Sequence, residues 1–231
     1  MSANKYLEEL LNLTEKQKEA FAIYYKLLYE TSKVMNLTTI TEETDVYIKH
    51  FYDSILVLKD FNFENEKTLL DIGSGAGFPG IVLKICYPNL KITLLEPTKK
   101  RCDFLTTVIE KLHLQNIEVV NERAENFIED RRETYDFVTG RAVASLNIMS
   151  ELALAFVKKD GYFLAMKGAN FEEEIALAKS AISIMGGKII KNLSFELPLN
   201  SGTRAVIHIK KVKKTPEIYP RTYAKIKKKP L

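Results

Sequence analysis

Residues 69–80 read LLDIGSGAGFPG. An apolar run that ends at Ile72 leads into four glycines, and a second apolar run, 81–85, follows them. This order predicts a strand, a glycine turn and a helix. Glycine permits a positive φ and lets a ligand approach the bare backbone, while the amides that open the next helix can meet polar ligand groups. The stretch therefore predicts a ligand site at the turn.

Several nucleotide-like ligands suit such a turn. Gly75, Gly77 and Gly80 satisfy the dinucleotide pattern G-x-G-x-x-G, which is a weak signal alone. A phosphate-binding P-loop is excluded, because Ile81 and Val82 stand where that loop requires Lys and Ser or Thr.

Two acidic residues separate the remaining ligands. Asp71 precedes the turn, where its carboxylate disfavours a pyrophosphate and can orient a cationic ligand. Glu96 ends the next apolar run and can accept both hydroxyls of an adenosine ribose, which suits NAD as well. Asp71 therefore favours S-adenosylmethionine, whose methionyl part carries a sulfonium and an ammonium. The alternative for Asp71 is a cap of the glycine turn.

The composition is that of an ordinary globular protein: 231 residues, 46% hydrophobic and 28% charged. No apolar run approaches the roughly 20 residues of a membrane span, and the first twenty residues lack the apolar core of a signal peptide. We therefore expect a cytoplasmic protein without a membrane partner. Cys86 and Cys102 are predicted to be reduced packing residues, and the three histidines show no paired ligand spacing, so no metal site is expected.

Charge is unevenly distributed along the chain. Residues 210–231 contain nine Lys and Arg and one acid, a net charge of +8, whereas the preceding residues carry 25 basic and 29 acidic side chains. A basic tail of this kind suits phosphate contacts. The alternative is a solvated terminus that aids solubility.

The remaining pattern predicts an α/β fold with three parts. Residues 1–62 read as a helical cap, 63–212 as the α/β domain, and 213–231 as the basic tail. Apolar runs at 68–72, 91–95, 117–120, 135–139 and 161–166 alternate with helical segments near 79–86, 98–113, 124–130, 145–158 and 170–185, which predicts a doubly wound, mostly parallel sheet. The last two runs, 188–197 and 204–212, predict a hairpin at the sheet edge.

An ordered set of motifs gives the chain a specific resemblance. LLDIGSGAGFPG is followed by LLEPTKKRCDFL, ERAE, GRAVA, MKG and YPR. In this the chain resembles the glucose-inhibited division protein B family, which methylates N7 of one guanine in bacterial 16S ribosomal RNA. The resemblance extends from the NLT at residues 36–38 to the last residues. After YPR the chain departs from the family, because TYAKI follows without the usual glycine.

The resemblance implies a class I S-adenosylmethionine-dependent methyltransferase: a Rossmann-like, seven-stranded sheet with an N-terminal helical extension. Its acceptor would be the 530-loop guanine, position 527, of 16S ribosomal RNA, met as naked RNA, as an assembly intermediate or in the small subunit. We expect a monomer. Two alternatives stay open, a small-molecule methyltransferase and a non-catalytic nucleotide-binding or RNA-binding module; an NAD-dependent enzyme is weaker than either.

Strand ends and family positions together nominate three sets of residues. The cofactor set is Asp71, Gly73, Gly75, Gly77, Phe78, Glu96, Pro97, Thr98, Ala124, Glu125 and Arg141, with Glu96 at the ribose and Ala124 and Glu125 at the adenine edge. The catalytic set is Arg141, Lys167, Arg204 and Asn36. The RNA-binding set is His50, Lys210, Lys211, Lys213, Lys214, Arg221, Lys227, Lys228 and Lys229.

The implied chemistry needs alignment more than proton transfer. Guanine N7 has a free lone pair and carries no proton at neutral pH, so its attack on a sulfonium methyl needs no general base. A donor on N7 would block that attack, whereas O6 is an acceptor that a cation can hold. We therefore predict that Arg141 or Lys167 holds O6 or a neighbouring phosphate and leaves N7 free.

Overall fold

A computed structural model describes residues 3–61 and 67–231. Within them, seven strands form one sheet in the order β3-β2-β1-β4-β5-β7-β6, in which only β7 runs against the others. The strands are β1 Thr68–Ile72, β2 Lys91–Leu95, β3 Ile117–Val120, β4 Tyr135–Arg141, β5 Val157–Lys167, β6 Gly187–Glu196 and β7 Thr203–Lys211. This confirms the predicted α/β class, with a mostly parallel seven-stranded sheet closed by a hairpin.

Helices precede the first strand, connect strands along the chain and follow the last strand. They are α1 Asn4–Glu8, α2 Glu15–Ser32, α3 Glu43–Val46, α4 Asp53–Leu56, α5 Gly80–Cys86, α6 Lys99–Lys111, α7 Ala124–Phe127, α8 Leu146–Leu154, α9 Phe171–Ile184 and α10 Tyr223–Lys228. A π-helical turn, Tyr47–Tyr52, joins α3 to α4. Of the helices in the described ranges, none has both the length and the apolar character needed to cross a lipid bilayer.

One boundary differs from the sequence prediction. The helix predicted over 145–158 ends at Leu154, and β5 already begins at Val157. The register between β4 and β5 then shifts, because Tyr135 pairs with Val157 but Phe137 pairs with Tyr162. The apolar run continues without a break from helix to strand, so its periodicity alone could not locate the change.

The N-terminal helices share one apolar core with the sheet. Phe21, Tyr24 and Phe51 belong to the same buried cluster as Ile81 and Leu94. Helix α2 begins with a capping box, in which the Thr14 hydroxyl accepts from the Gln17 backbone amide. The amide nitrogen of the Gln17 side chain also donates to the Ile85 carbonyl at 2.9 Å, which ties this end of α2 to the end of α5. The predicted boundary at 62–63 lies outside the described residues.

The C-terminal segment folds back along the α/β domain. At its start, the Thr215 hydroxyl donates to the Met185 carbonyl, directly after α9, at 2.9 Å. Further along, Arg221 binds Glu151 of α8, and Ile226 of α10 is fully buried in the same apolar cluster as Leu152. The chain thus returns from the β7 end of the sheet towards the edge where the parallel strands end.

Candidate functional site

The glycine turn after β1 is held by backbone hydrogen bonds. The Gly73 amide donates to the Leu95 carbonyl at 2.7 Å, and the Gly77 amide donates to the Ser74 carbonyl at 2.7 Å. Gly75 has φ +58°, in the left-handed region, and a Cβ built there would meet only the Gly73 carbonyl oxygen at 3.9 Å. Gly75 therefore leaves open space in front of its backbone, as a ligand cradle requires.

A cavity of about 430 Å³, here called the first cavity, opens in front of this turn. It lies at the carboxyl ends of the parallel strands, where doubly wound sheets bind their ligands. It is lined by nine of the predicted cofactor residues: Gly73, Gly75, Phe78, Glu96, Pro97, Thr98, Ala124, Glu125 and Arg141. Leu37, Thr38, Val143 and Tyr223 also line it and were not predicted as cofactor residues.

Glu96 is the buried anion of the first cavity. Its Oε2 accepts from the Gly75 amide at 3.0 Å, and its Oε1 accepts from the Thr98 amide at 2.9 Å. The residue is only 2% exposed. Each carboxylate oxygen can accept two hydrogen bonds, so one further donor can bind each oxygen. Glu96 can therefore accept a pair of neighbouring hydroxyls, such as those of a ribose.

Asp71 does not line the first cavity. It is completely buried beneath the turn, and its Oδ2 accepts from the Gly80 amide at 2.9 Å. Burial raises the pKa of its carboxyl to about 7. This geometry is that of the capping alternative, so the predicted contact between Asp71 and a cationic ligand has no surface on which to form. Gly77 is also behind the turn, because a Cβ there would lie 2.6 Å from the Tyr24 hydroxyl.

A second cavity, of about 670 Å³, adjoins the first. His50, Arg141, Ala142 and Val143 line both cavities and form the wall between them. Ala142 has φ +55°, a conformation that costs a residue with a Cβ about 1 kcal/mol or more and that clusters at functional sites. The other residues of the second cavity include Asp53, Met166, Lys167, Glu174 and Arg204.

Three of the four predicted catalytic residues lie at the second cavity, and the fourth does not. Arg141, Lys167 and Arg204 all line the second cavity. Asn36 is exposed and lines neither cavity, although Leu37 and Thr38 beside it line the first. The structure thus brings three of the four predicted residues together.

Arg141, at the end of β4, is bound by the π-helical turn and its neighbour. Its NH1 donates to the Lys49 carbonyl and to Asp53 Oδ2, each at 3.0 Å. Its guanidinium carbon lies 4.8 Å from the centre of the Phe78 ring. Arg204 Nε approaches the same Asp53 oxygen at 3.6 Å. Burial raises the pKa of Asp53, and the two guanidinium groups beside it oppose that shift. The Asp53 carboxylate therefore neutralises charge within the wall.

His50 is a neutral part of the same wall. Its ring stacks on Phe78 with 4.5 Å between centroids, and its Nε2 lies 2.9 Å from the Thr38 hydroxyl. Nδ1 lies 3.1 Å from two groups, the Arg141 NH2 donor and the Lys49 carbonyl acceptor, so Nδ1 accepts from Arg141 when the ring proton is on Nε2 and donates to Lys49 when the proton is on Nδ1. Burial and the charge of Arg141 lower the pKa of His50 to about 3. His50 therefore offers no positive charge at neutral pH, and its role in RNA binding stays a prediction.

Lys167 and Glu174 form an ion pair in the second cavity. Lys167 Nζ lies 2.7 Å from Glu174 Oε2 and donates to the Ala144 carbonyl at 2.7 Å. Glu174 Oε2 also accepts from the Leu146 amide, at the start of α8. Sequence reasoning missed Glu174. The signal available was the acidic triplet at 172–174, which follows MKG in the first turn of a predicted helix.

The predicted RNA-binding tail divides between two places. Lys210 pairs with Tyr162 across the sheet and with Asp160 by a 2.9 Å ion pair, so it lies towards the amino ends of the parallel strands. Lys211 is completely buried, with Glu133 3.0 Å away, and is not available to a phosphate. Exposed Lys213 and Lys214 follow on that side, away from the cavities. The RNA-binding prediction is therefore wrong for Lys211 and unsupported for its neighbours.

The last part of the tail is beside the first cavity. Arg221 is held by Glu151, with Nε to Oε1 at 2.8 Å and NH2 to Oε2 at 2.6 Å, so its predicted phosphate contact is replaced by an internal one. Tyr223 lines the first cavity and begins α10. Lys227 and Lys228 are exposed on α10, as is Lys229 directly after it, and none of the three has an ion-pair partner in the described ranges.

Comparisons with known proteins match the chain over most of its length. The profile of the family described as rRNA small subunit methyltransferase G matches residues 17–198. The ribosomal RNA small subunit methyltransferase G of Lactobacillus helveticus is 46% identical over 239 residues, covering 100% of both chains. This chain belongs to that family. The Staphylococcus aureus protein of the same name is 46% identical over 230 residues, covering 99% of this chain and 96% of its own.

Solved structures show the same fold outside the family. Precorrin-6y C5,15-methyltransferase from Geobacter metallireducens superposes with a TM-score of 0.52 and 16% identity, covering 68% of this chain and 87% of its own. At this identity the likeness concerns the fold alone. It agrees with the class I methyltransferase fold expected from the sequence. Across residues 3–61 and 67–231, no cluster of three or more His, Cys, Asp and Glu is arranged to hold a metal ion.

Proposed function

We propose that this chain transfers the methyl group of S-adenosylmethionine to N7 of a guanine in 16S ribosomal RNA. The 530-loop guanine is the acceptor by resemblance to the family. One observation carries the proposal: two cavities meet at the carboxyl edge of the sheet and share a wall of His50, Arg141, Ala142 and Val143. One cavity suits a nucleoside, and the other holds cationic donors beside it.

The residues of the first cavity fit S-adenosylmethionine. Glu96 has two acceptor positions left for the ribose hydroxyls, and the open side of Gly75 leaves room against the backbone for the methionyl part. Ala124 and Glu125 line the same cavity, where an amide and a carboxylate suit the adenine edge. When bound, S-adenosylmethionine supplies an electrophilic methyl group on a sulfonium.

The shared wall suits attack by a group that needs no base. Guanine N7 carries no proton that a base would have to remove. His50, which is neutral and has neighbours at both ring nitrogens, therefore serves as part of the wall and not as a base. The task of the wall is to hold the base, and positioning of this kind can contribute about 7 to 11 kcal/mol to a barrier. Methylation at N7 leaves the base positively charged. Asp53 neutralises Arg141, so the product does not face an unpaired guanidinium.

The RNA must present one unstacked guanine to the second cavity. We propose that α10 and Lys229 contact phosphates near the first cavity, and that Arg204 faces the substrate within the second. We propose that the enzyme acts as a monomer. We propose a cytoplasmic location, because the proposed substrate is ribosomal RNA.

Radiolabelled methyl transfer tests the reaction. The purified protein, labelled S-adenosylmethionine, and 16S RNA or 30S particles from a strain lacking the protein should give labelled 7-methylguanosine at a single position in the 530 loop. A Glu96→Ala variant should bind the cofactor at least about tenfold more weakly, because it loses two charge-assisted acceptors. The reaction is rejected if no labelled 7-methylguanosine forms on any of these RNAs.

The RNA surface has its own test with matched variants. Lys227→Ala with Lys228→Ala should reduce the slope of log affinity against log salt by about 1.4 to 1.8, because two phosphate contacts are lost. Lys213→Ala with Lys214→Ala removes the same charge from the opposite side and should leave the slope unchanged. Equal slopes for the two pairs of substitutions would contradict the assignment of the surface to α10.

A further inference from the structure

The Lys167–Glu174 pair has unused hydrogen-bonding capacity in the second cavity. Lys167 Nζ has three N–H groups and two acceptors, Ala144 O and Glu174 Oε2. Glu174 Oε2 binds Lys167 and the Leu146 amide, whereas Oε1 has no protein partner in the described ranges. The Glu174 side chain is 30% exposed. The pair therefore offers one donor and at least one acceptor side by side.

The two arginines of this cavity each contact a backbone carbonyl and Asp53. Arg141 donates to Lys49 O and Asp53 and faces His50. Arg204 donates from NH1 to its neighbour's carbonyl and faces Asp53 from Nε. The Asp53 side chain, 5% exposed, lies between the two guanidinium groups. Lys167 and Glu174 thus remain as the adjacent donor and acceptor that line the cavity.

Guanine presents the complementary pattern. Its O6 is an acceptor, the adjoining N1–H is a donor, and N7 lies on the other side of O6. A lysine donor at O6 and a carboxylate acceptor at N1–H would leave N7 free. Adenine reverses both groups, because it has an amino donor at position 6 and an acceptor at N1. A pair with fixed donor and acceptor therefore distinguishes the two purines.

We propose that Lys167 and Glu174 together read the O6 and N1–H edge of the acceptor guanine, with Lys167 donating to O6 and Glu174 accepting from N1–H. This inference rests on the proposed function, since it names how the same site selects its base. The simpler alternative is that Glu174 only holds the start of α8 and the orientation of Lys167. The two differ in their effect on base selection.

Base analogues at the target position test the inference. The substrates are 30S particles reconstituted with 16S RNA in which the target guanine is replaced by inosine or 2,6-diaminopurine through ligation. Inosine keeps O6 and N1–H, whereas diaminopurine reverses them and keeps the 2-amino group. With the wild type we expect kcat/KM for inosine within about threefold of guanine and kcat/KM for diaminopurine at least about tenfold lower.

Glu174→Gln should then reduce that selectivity. Its amide can present either an oxygen or an NH₂ group, so the ratio of kcat/KM for guanine over diaminopurine should fall at least about fivefold from the wild-type ratio. Comparing ratios between enzymes cancels the intrinsic reactivity of N7. The ratio of RNA dissociation constants for the two particles, measured without methyl transfer, should change in the same direction. Glu173→Gln, an exposed acid in the same turn, should leave both ratios at the wild-type value.

Two results would overturn the inference. The wild type could accept diaminopurine as well as guanine, or Glu174→Gln could leave both ratios unchanged, as a purely structural role predicts when kcat/KM falls equally for both substrates. A matching urea unfolding midpoint for Glu174→Gln and Glu173→Gln shows that both variants fold. Failure of the proposed function is a separate outcome, because the wild type would then form no 7-methylguanosine on the guanine particle.

Discussion

Replacing Arg221 with alanine should lower the free energy of unfolding by about 3 kcal/mol, because it leaves a buried carboxylate without its charged partner. Glu151 is completely buried, whereas the Arg221 side chain is 24% exposed. Glu151 accepts three hydrogen bonds from this one residue: from the backbone amide at 2.9 Å, from Nε at 2.8 Å and from NH2 at 2.6 Å. The substitution removes the two charged donors and keeps the amide.

The expected loss in the free energy of unfolding follows from the hydrogen bonds that Glu151 loses and keeps. Removing one partner of a buried ion pair costs about 3 to 5 kcal/mol. The lower end applies here, since the amide of residue 221 can still bind Glu151 and Arg221 is partly solvated. The chain contains no tryptophan, so urea unfolding is best followed by circular dichroism. Because Tyr223 lines the first cavity, the dissociation constant for S-adenosylmethionine should rise as well.

A double variant separates the charge from the contact. Arg221→Ala combined with Glu151→Gln buries a neutral amide instead of a carboxylate, so its loss should be about 1 to 2 kcal/mol, smaller than that of Arg221→Ala alone. Hydrogen exchange at residues 223–228 should be faster in the single variant than in the double. A loss below about 1 kcal/mol for Arg221→Ala, or a double variant less stable than the single, would refute the reasoning.

Three further predictions concern the glycine turn. The pKa of Asp71 is raised to about 7 in the fold from 3.8, so the stabilisation that this carboxyl gives when protonated is present below pH 4 and is lost as the pH rises to 7. In urea unfolding, the free energy of unfolding of the wild type should therefore fall by about 1.4 kcal/mol per pH unit relative to that of Asp71→Asn over this range. A difference between the two proteins that does not change with pH would contradict this prediction. Gly75→Ala places a methyl group in the open space in front of the turn, at φ +58°. Calorimetry should show cofactor affinity reduced at least about tenfold, while the free energy of unfolding falls by only about 1 to 2 kcal/mol. An unchanged affinity would show that the ligand does not approach Gly75. Tyr24→Phe removes the hydroxyl that donates to the Ala76 carbonyl, and chemical denaturation should show a loss of about 1 kcal/mol in the free energy of unfolding; an unchanged value would contradict this.

The glycine turn and the alternation of apolar runs were sufficient to predict the sheet. Strands β1 and β2 occupy 68–72 and 91–95, as predicted, because each strand is short, apolar and bounded by polar or glycine residues. Strand ends also located Glu96, Arg141 and Lys167, since the carboxyl ends of parallel strands meet at one edge of a sheet. These predictions rested on the pattern of neighbouring residues in the sequence and did not require any contact with residues distant in the chain.

Asp71 and His50 show where local pattern was insufficient. The sequence places Asp71 before the turn but does not show that its side chain points beneath the turn to the Gly80 amide. His50 lies on the π-helical turn, whose hydrogen bonding differs from that of the α-helix predicted there. Its neutral state follows from burial and from Arg141, which is 91 residues away in the chain. Both outcomes depend on contacts made only after the chain folds.

The basic tail shows the same limit for electrostatics. Residues 210–231 contain nine basic side chains, but in the fold four of them have carboxylate partners: Lys210, Lys211, Lys214 and Arg221. Of the five without such a partner in the described ranges, four lie in residues 225–229, on or beside α10. Phosphate binding depends on charge that is free to replace counterions. The charge available to RNA is therefore concentrated beside the first cavity, and the buried pairing of Arg221 with Glu151 is what brings it there.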